Sequence, residues 1–232
     1  MTTALTYQRS GQSRTATHAA GRPSLAGYLP AAAFAAALLV AAAVLTLKGT
    51  DSHAIVIALR VTARWSFLLF WIAYAGRALT TMFGPRLAPL ARGRDFGLAY
   101  GAAQLIHISL VIWLFRISPT PPLSGRLFWF FVIAIIWTYL LMLFSFRRLV
   151  EFLGPRGRRL LRLVGMNYIL LAFARDFVPP MLHPTQVPYS WSLMVKYLPF
   201  AAMCIVAPLL VLAANGRHRA PKLIPASAPG AC

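Results

Sequence analysis

The stretch FWFFVIAIIW at residues 128–137 decides the fold class of this chain. It contains no charged residue and lies within a longer apolar run, 123–144. A helix rises about 1.5 Å per residue, so such a run can cross a hydrocarbon core about 30 Å thick. Lipid offers the backbone no hydrogen-bond partners, so the segment must satisfy its own polar groups. We therefore expect a membrane-spanning α-helix here.

Five other apolar runs of similar length occur along the chain, at 25–47, 53–75, 96–115, 160–178 and 197–214. The small residues of the first run resemble those of a signal peptide. Its length exceeds the usual apolar core of about 7–15 residues, so we interpret it as a retained helix. The sequence thus predicts an all-α integral membrane bundle of about six transmembrane helices.

The composition agrees with a membrane protein rather than a nucleic-acid-binding one. Hydrophobic residues make up 59% of the 232 residues and charged residues 12%, about half the roughly 25% of soluble domains. The 23 Lys and Arg residues greatly outnumber the 4 acidic ones. A nucleic-acid-binding domain presents its basic residues on a soluble surface, whereas here they cluster between apolar runs. The lipid bilayer is the expected partner, and nucleic acid is not.

The positions of the basic residues predict the orientation of the bundle. Placing the N-terminus inside puts most of the 23 basic residues on the cytoplasmic side, as the positive-inside rule requires. We expect a multi-pass protein of a bacterial-type inner membrane with both termini cytoplasmic. Residues 1–25 are predicted to be a flexible tail, 26–215 the transmembrane domain and 216–232 a flexible basic tail. The short connections leave no room for a soluble catalytic domain.

One histidine lies well inside a predicted span. His107 falls near the middle of the third run, in AAQLIHIS at 102–109. An ionisable side chain at that depth is costly and is therefore a candidate functional residue. Neutral imidazole is also a common axial ligand of haem iron. The alternative is a neutral histidine that only hydrogen-bonds to a neighbouring helix.

Charged side chains also occur in the outer halves of two predicted spans. Arg60 and Arg64 lie one helical turn apart in the second run. Their guanidinium groups could bind haem propionates or another anion, or extend to the outer headgroups. Arg175 and Asp176, near the end of the fifth run, are interpreted as a local ion pair.

The two predicted cytoplasmic hairpins share the tripeptide Gly-Pro-Arg, at 84–86 and 154–156. Glycine followed by proline is typical of a turn, and arginine suits a loop beside anionic lipid. Internal duplication is the alternative explanation.

Several short segments resemble the ferric-reductase-like transmembrane family. RDFGL at 94–98, with His107 nine residues further on, is similar to the start of that family's haem-bearing helix. RRLLRLV at 158–164 is similar to its basic loop before the fifth helix. Two shorter segments, Ala58-Leu59 and Leu153-Gly154, also resemble segments of that family. The resemblance as a whole covers about residues 30–215. The family includes the haem-binding membrane subunit of the bacterial periplasmic methionine sulfoxide reductase system.

The resemblance implies a b-type haem between the third and fifth helices, with His107 as the third-helix ligand. It also implies electron entry from a cytoplasmic flavin or quinone and a periplasmic redox partner. The histidines of the family's fifth helix correspond to Leu161 and Ala174 here, and neither can coordinate iron. Met166 is then a candidate sixth ligand, since methionine pairs with histidine on haem iron. Five-coordinate haem on His107 is another possibility.

Two functions follow from these features. The first is transmembrane electron transfer through haem b on His107, which would make the chain at most an oxidoreductase-type subunit. The second is a haem-less membrane scaffold, partner subunit or small-ligand binder. The sequence contains no P-loop, and Cys204 and Cys232 form no CxxC motif. None of its 4 acidic residues falls in mid-membrane, which argues against a proton- or cation-coupled transporter.

Overall fold

The computed structural model describes residues 25–179 and 191–219, and these residues are almost entirely helical. Of the predicted tails, 1–25 and 216–232, residues 1–24 and 220–232, with Cys232, lie outside the described residues, whereas Leu25 and residues 216–219 are helical rather than flexible tail. Within these described residues, six α-helices and one short 3-10 helix follow one another. They are α1 (Leu25–Lys48), α2 (Ser52–Phe83), the 3-10 helix (Pro85–Ala91), α3 (Gly93–Ile117), α4 (Gly125–Leu143), α5 (Arg147–Phe177) and α6 (Trp191–Arg219).

Five of these helices contain a segment long and apolar enough to cross a membrane. The segments are Gly27–Lys48, Ser52–Phe83, Gly93–Ile117, Gly125–Leu143 and Val195–Arg217. Their outward faces carry large apolar side chains, including Leu39, Trp129 and Leu212, each more than 60% exposed. In water such a surface would be strongly unfavourable. The chain is therefore a multi-pass helical membrane protein, which confirms the predicted all-α membrane bundle, whereas its six spans and its orientation stay predictions.

Most helices extend beyond the predicted apolar runs, and α2, α5 and α6 do so by the largest margins. Helix α2 continues to Phe83, past the predicted end at 75, and α6 continues to Arg219, past the predicted end at 214. Hydropathy locates only the apolar part of a helix, whereas backbone hydrogen bonding continues into the polar interface. Helix α5 begins at Arg147 rather than near 160, and its arginine-rich first part keeps it out of the five apolar segments.

Both Gly-Pro-Arg sequences form sharp corners in the backbone. Gly84 ends α2 with φ +95°, and Gly154 interrupts α5 with φ +65°. Only glycine adopts this left-handed region without steric cost. The following prolines, Pro85 and Pro155, each begin a new helical segment, where proline loses no backbone hydrogen bond.

An aromatic cluster at the centre of the bundle joins α2, α5 and α6. Phe67 is fully buried, and its ring makes edge-to-face contacts with Phe173, Phe177 and Phe200 at centroid distances of 5.0, 5.2 and 6.0 Å. Aromatic pairs in this geometry attract each other beyond simple area burial. The cluster fixes the positions of the three helices that surround the interior of the bundle.

Helix α1 packs on α2 and α3 through small side chains. Ala33, Ala37 and Ala41 are buried at every fourth position, which is the spacing of one helix face. Small residues let helix backbones approach closely in lipid. The indole nitrogen of Trp65 on α2 donates a hydrogen bond to the carbonyl of Ala33, at 3.2 Å. Helix α1 thus covers the outer side of α2 and α3.

Candidate functional site

His107 lines a cavity of about 280 Å³ between α2, α3, α4 and α5, called here the His107 cavity. Helix α3 contributes side chains spaced three or four residues apart, such as Gln104 and His107, because these share one helix face. Most of the other lining side chains are apolar, including Phe131 and Phe173. The predicted intramembrane histidine therefore borders an open space in the bundle.

Thr62 on α2 holds the imidazole of His107. The threonine Oγ1 lies 3.1 Å from His107 Nδ1, and it also lies 2.9 Å from the carbonyl oxygen of Ala58 and 3.1 Å from that of Leu59. The hydroxyl has one proton. When it is donated to one of the two carbonyls, Oγ1 accepts a hydrogen bond from Nδ1–H and Nε2 keeps its lone pair. In the other tautomer the hydroxyl donates to Nδ1 and the ring proton lies on Nε2.

Gln104 provides a second acceptor at the same cavity. Its Oε1 is buried and has no hydrogen-bond partner among the described residues. Gln104 lies three residues before His107 on α3, and both line the cavity. A buried amide oxygen without a partner is costly, so it marks a place where a ligand with an N–H or O–H donor would be stabilised.

Charged groups lie at the end of the cavity away from the arginine-rich end of α5. Arg60 and Asp176 line it, and Asp176 interacts electrostatically with Arg60 and Arg64, rather than mainly with its predicted partner Arg175. Arg60 and Arg77 are 17 positions apart on α2, about 26 Å at 1.5 Å per residue. That separation places Arg60 close to one face of a bilayer when Arg77 is at the other.

The guanidinium of Arg64 packs against α6 instead of facing the His107 cavity. Its central carbon lies 5.4 Å from the ring centroid of Tyr197 and 5.6 Å from that of Phe200. Cations attract aromatic ring faces at these distances. Its Nε is buried without a hydrogen-bond partner among the described residues. Arg64 therefore joins α2 to α6, and of the two arginines only Arg60 lines the cavity.

Met166 and Leu161 lie away from the His107 cavity. Both line a second cavity of about 360 Å³, the Gly93 cavity, towards the arginine-rich part of α5. Tyr100 and Thr138 border both cavities, and their hydroxyl oxygens are 3.1 Å apart. This pair lies where the two spaces adjoin. The structure therefore does not bring Met166 together with His107.

The His107 cavity does not fit a haem ligated from both sides. Among the described lining residues, His107 is the only histidine, and none is a methionine or cysteine. The volume of about 280 Å³ also falls just below the range of about 300–1,000 Å³ for drug-sized ligands. Within residues 25–179 and 191–219, no three His, Cys, Asp or Glu side chains are close enough to hold a metal ion. Among the histidine, methionine and cysteine side chains of the described lining, His107 alone could ligate iron, and the one lining tyrosine, Tyr100, has its hydroxyl paired with Thr138.

Sequence reasoning missed two basic cavities at the other end of the bundle. The Gly93 cavity is lined by Arg94, Arg158 and Arg162. A third cavity of about 520 Å³, the Asn167 cavity, is lined by Arg77, Arg159 and Arg162 of α2 and α5, together with side chains of α6. The charge clusters were visible in the sequence, but nothing there indicated that α2 and α5 bring them together around open space.

Comparisons with known proteins found no relative of this chain. No family model, no curated protein and no solved structure matches the chain. The resemblance to the ferric-reductase-like family stays a prediction.

Proposed function

We propose that this chain is a ligand-binding protein with six transmembrane spans and an intramembrane site at the His107 cavity. The sixth span in this count is the second part of α5. Its side chains Ile169, Leu170 and Phe177 are buried in the core, as expected of a helix shielded by its neighbours. The arginines at its start lower its overall hydropathy without preventing the apolar remainder from crossing the bilayer.

The proposed orientation has both termini in the cytoplasm of a bacterial-type cell, with the protein in the inner membrane. The arginines of the Gly93 and Asn167 cavities gather at one end of the bundle, and the positive-inside rule assigns that end to the cytoplasm. Single cysteines at exposed Arg86 and Thr120, in a Cys232→Ser background, test it. An impermeant maleimide added to spheroplasts should label Thr120→Cys and not Arg86→Cys; the reverse labelling contradicts the orientation.

The observation that carries the ligand proposal is the pairing of Gln104 with His107. Both residues line an apolar and partly aromatic space, Gln104 Oε1 is buried without a described hydrogen-bond partner, and His107 Nε2 is a second candidate acceptor. A complementary ligand is small, flat and neutral, with hydroxyl or amine donors. When Thr62 accepts from Nδ1–H, His107 Nε2 is free to accept from such a donor.

Haem b on His107, with transmembrane electron transfer, is the second candidate. The favouring observation is the hydrogen bond at His107 Nδ1, because metal-binding histidines usually have their second nitrogen held in this way. A bound haem would supply one-electron chemistry. In that case Thr62 orients the ligand nitrogen and the apolar walls exclude water. A flavin or quinone would serve as electron source and a periplasmic protein as acceptor.

One set of measurements on detergent-purified protein separates the two candidates. Ferric haem b is titrated against the wild type while the Soret band is followed, and spectra are taken before and after dithionite. The unfolding temperature is measured in parallel with hydroquinone, an aromatic diol, at millimolar concentration. His107→Ala removes the site, and His53→Ala at the exposed start of α2 is the matched control.

The outcomes are distinct. A b-type spectrum that His107→Ala abolishes and His53→Ala preserves supports the haem candidate. The small-ligand candidate predicts no such spectrum, and a rise in unfolding temperature with hydroquinone that both His107→Ala and Gln104→Leu remove. If neither haem nor hydroquinone distinguishes His107→Ala from the control, the site proposal is wrong.

A further inference from the structure

We propose that the Asn167 cavity binds the phosphate group of an anionic membrane phospholipid, held mainly by Arg77 and Arg162. This site is separate from the His107 cavity and does not depend on the ligand proposed there. The two arginines come from different helices, α2 and α5, and line one space of about 520 Å³, the largest of the three cavities. That volume lies within the range of small-molecule sites.

The charges around this cavity are of one sign. Arg162 interacts electrostatically with Arg77 and Arg158, both positive, and Arg159 also lines the space. Among the described side chains that line the Asn167 and Gly93 cavities, none is a carboxylate. Asp176 interacts with Arg60 and Arg64 on the other side of the bundle. Like charges gathered around one space repel each other, and a bound anion lowers that repulsion.

Two polar side chains of the cavity, Tyr74 and Asn167, are held in place by hydrogen bonds. The hydroxyl of Tyr74 donates to Asn167 Oδ1 at 2.9 Å, and Asn167 Nδ2 donates to the carbonyl of Leu163 at 2.7 Å. These bonds fix Asn167 and Tyr74 between α2 and α5. The arginines and the amide of Asn215 therefore remain as donors at the site, and guanidinium matches phosphate oxygens through paired hydrogen bonds.

The remaining lining indicates a lipid rather than a free phosphate ion. Ala78, Leu163, Met166, Val211 and Ala214 give the cavity an apolar part beside its arginines. Apolar contacts do not stabilise a free phosphate ion, whereas they stabilise a phospholipid, whose acyl chains lie next to its phosphate. Basic pockets between transmembrane helices are a recurrent form of lipid headgroup site. General headgroup attraction to a solvated basic surface is the alternative, and it would not depend on two particular arginines.

The test is native mass spectrometry of the full chain in detergent, titrated with phosphatidylglycerol. The variant is Arg77→Gln/Arg162→Gln. Its control, Arg86→Gln/Arg92→Gln, removes the same charge from exposed positions on and next to the 3-10 helix, outside the cavity lining. Phosphatidylcholine with identical acyl chains and inorganic phosphate form the two other arms.

We expect one tightly bound phosphatidylglycerol per chain in the wild type and the control. The cavity variant should bind it at least about tenfold more weakly, since charge-assisted hydrogen bonds are lost. Equal binding by variant and control overturns the proposal, as does equal affinity for phosphatidylcholine. Displacement of the lipid by millimolar inorganic phosphate overturns the lipid assignment. Should the double variant not fold, Arg77→Lys/Arg162→Lys keeps the charge but loses the paired donors, and it must still weaken binding.

Discussion

Thr62 Oγ1 on α2 lies 3.1 Å from His107 Nδ1 on α3, in the interior of the bundle. The threonine is fully buried, and the carbonyls one turn earlier are also acceptors for its proton. Two helices are thus joined by a hydrogen bond. The direction of that hydrogen bond decides which imidazole nitrogen is available to the His107 cavity.

Thr62→Val should destabilise the protein. Valine has nearly the shape of threonine but no hydroxyl, so Nδ1 loses its hydrogen-bond partner inside the bundle. We expect a cost of about 1 kcal/mol, since hydrogen bonds between transmembrane helices contribute modestly. Thermal unfolding in detergent measures it, with Thr46→Val at an exposed position of α1 as control. An equal effect of both variants would contradict the assigned role of Thr62.

Gln104→Leu should stabilise the ligand-free protein. The substitution removes a buried oxygen that has no described partner and replaces it with an apolar group of similar size. We expect a gain of about 1 kcal/mol, because a buried unsatisfied polar group carries a desolvation cost. The same variant should lose the response to hydroquinone. A loss of stability in ligand-free protein would show that Gln104 has a structural partner.

Phe67→Ala should be among the most destabilising single changes in the chain. Phe67 is fully buried and contacts three other aromatic rings. We expect about 3–5 kcal/mol, the usual cost of removing a buried phenylalanine and leaving a cavity. The control is Trp129→Ala, which removes a larger side chain that is 63% exposed on the outer face of α4. The unfolded fraction is measured in a series of increasingly harsh detergents. It should be clearly larger for Phe67→Ala than for Trp129→Ala.

Gly154→Ala should destabilise the corner within α5. The glycine has φ +65°, where an L-residue costs roughly 1–2 kcal/mol. Gly97→Ala on α3 is the matched control, because a methyl group there meets no atom within 4 Å and alanine favours a helix by about 0.5–1 kcal/mol. The two substitutions should therefore shift the unfolding temperature in opposite directions. Shifts of the unfolding temperature in the same direction would contradict a stabilising role for the glycine conformation at position 154.

The fold class could be predicted because each apolar run meets a local physical requirement. Residues 128–137 must be helical in lipid whatever their neighbours are, and α4 indeed contains them. The ends were less predictable. Helices α2 and α6 continue beyond their apolar runs because hydrogen bonding, unlike hydropathy, does not stop at the interface. Turns at Gly84 and Gly154 could be predicted because glycine followed by proline favours a turn, whatever the rest of the fold is.

The site was only partly predictable. His107 stood out because an imidazole within an apolar run is costly. Its partner Thr62, 45 positions earlier, gave no signal, because threonine is ordinary in a transmembrane helix. Met166 was a candidate ligand from its place on α5, and the rotation of that helix directs it to the Gly93 and Asn167 cavities instead. Helix rotation depends on packing, which the sequence of one helix does not specify.

The sequence by itself determined the helices, their apolar faces and the clustering of arginines, since each depends on neighbours within a few residues. The tertiary structure alone decided which side chains meet. It joined Thr62 to His107, left Gln104 Oε1 without a described partner in the same cavity, and brought Arg77 to Arg162. The physical reason is that long-range contacts depend on the rotation and crossing of packed helices. A rotation of α2 by one residue would separate Thr62 from His107 and leave every helix intact.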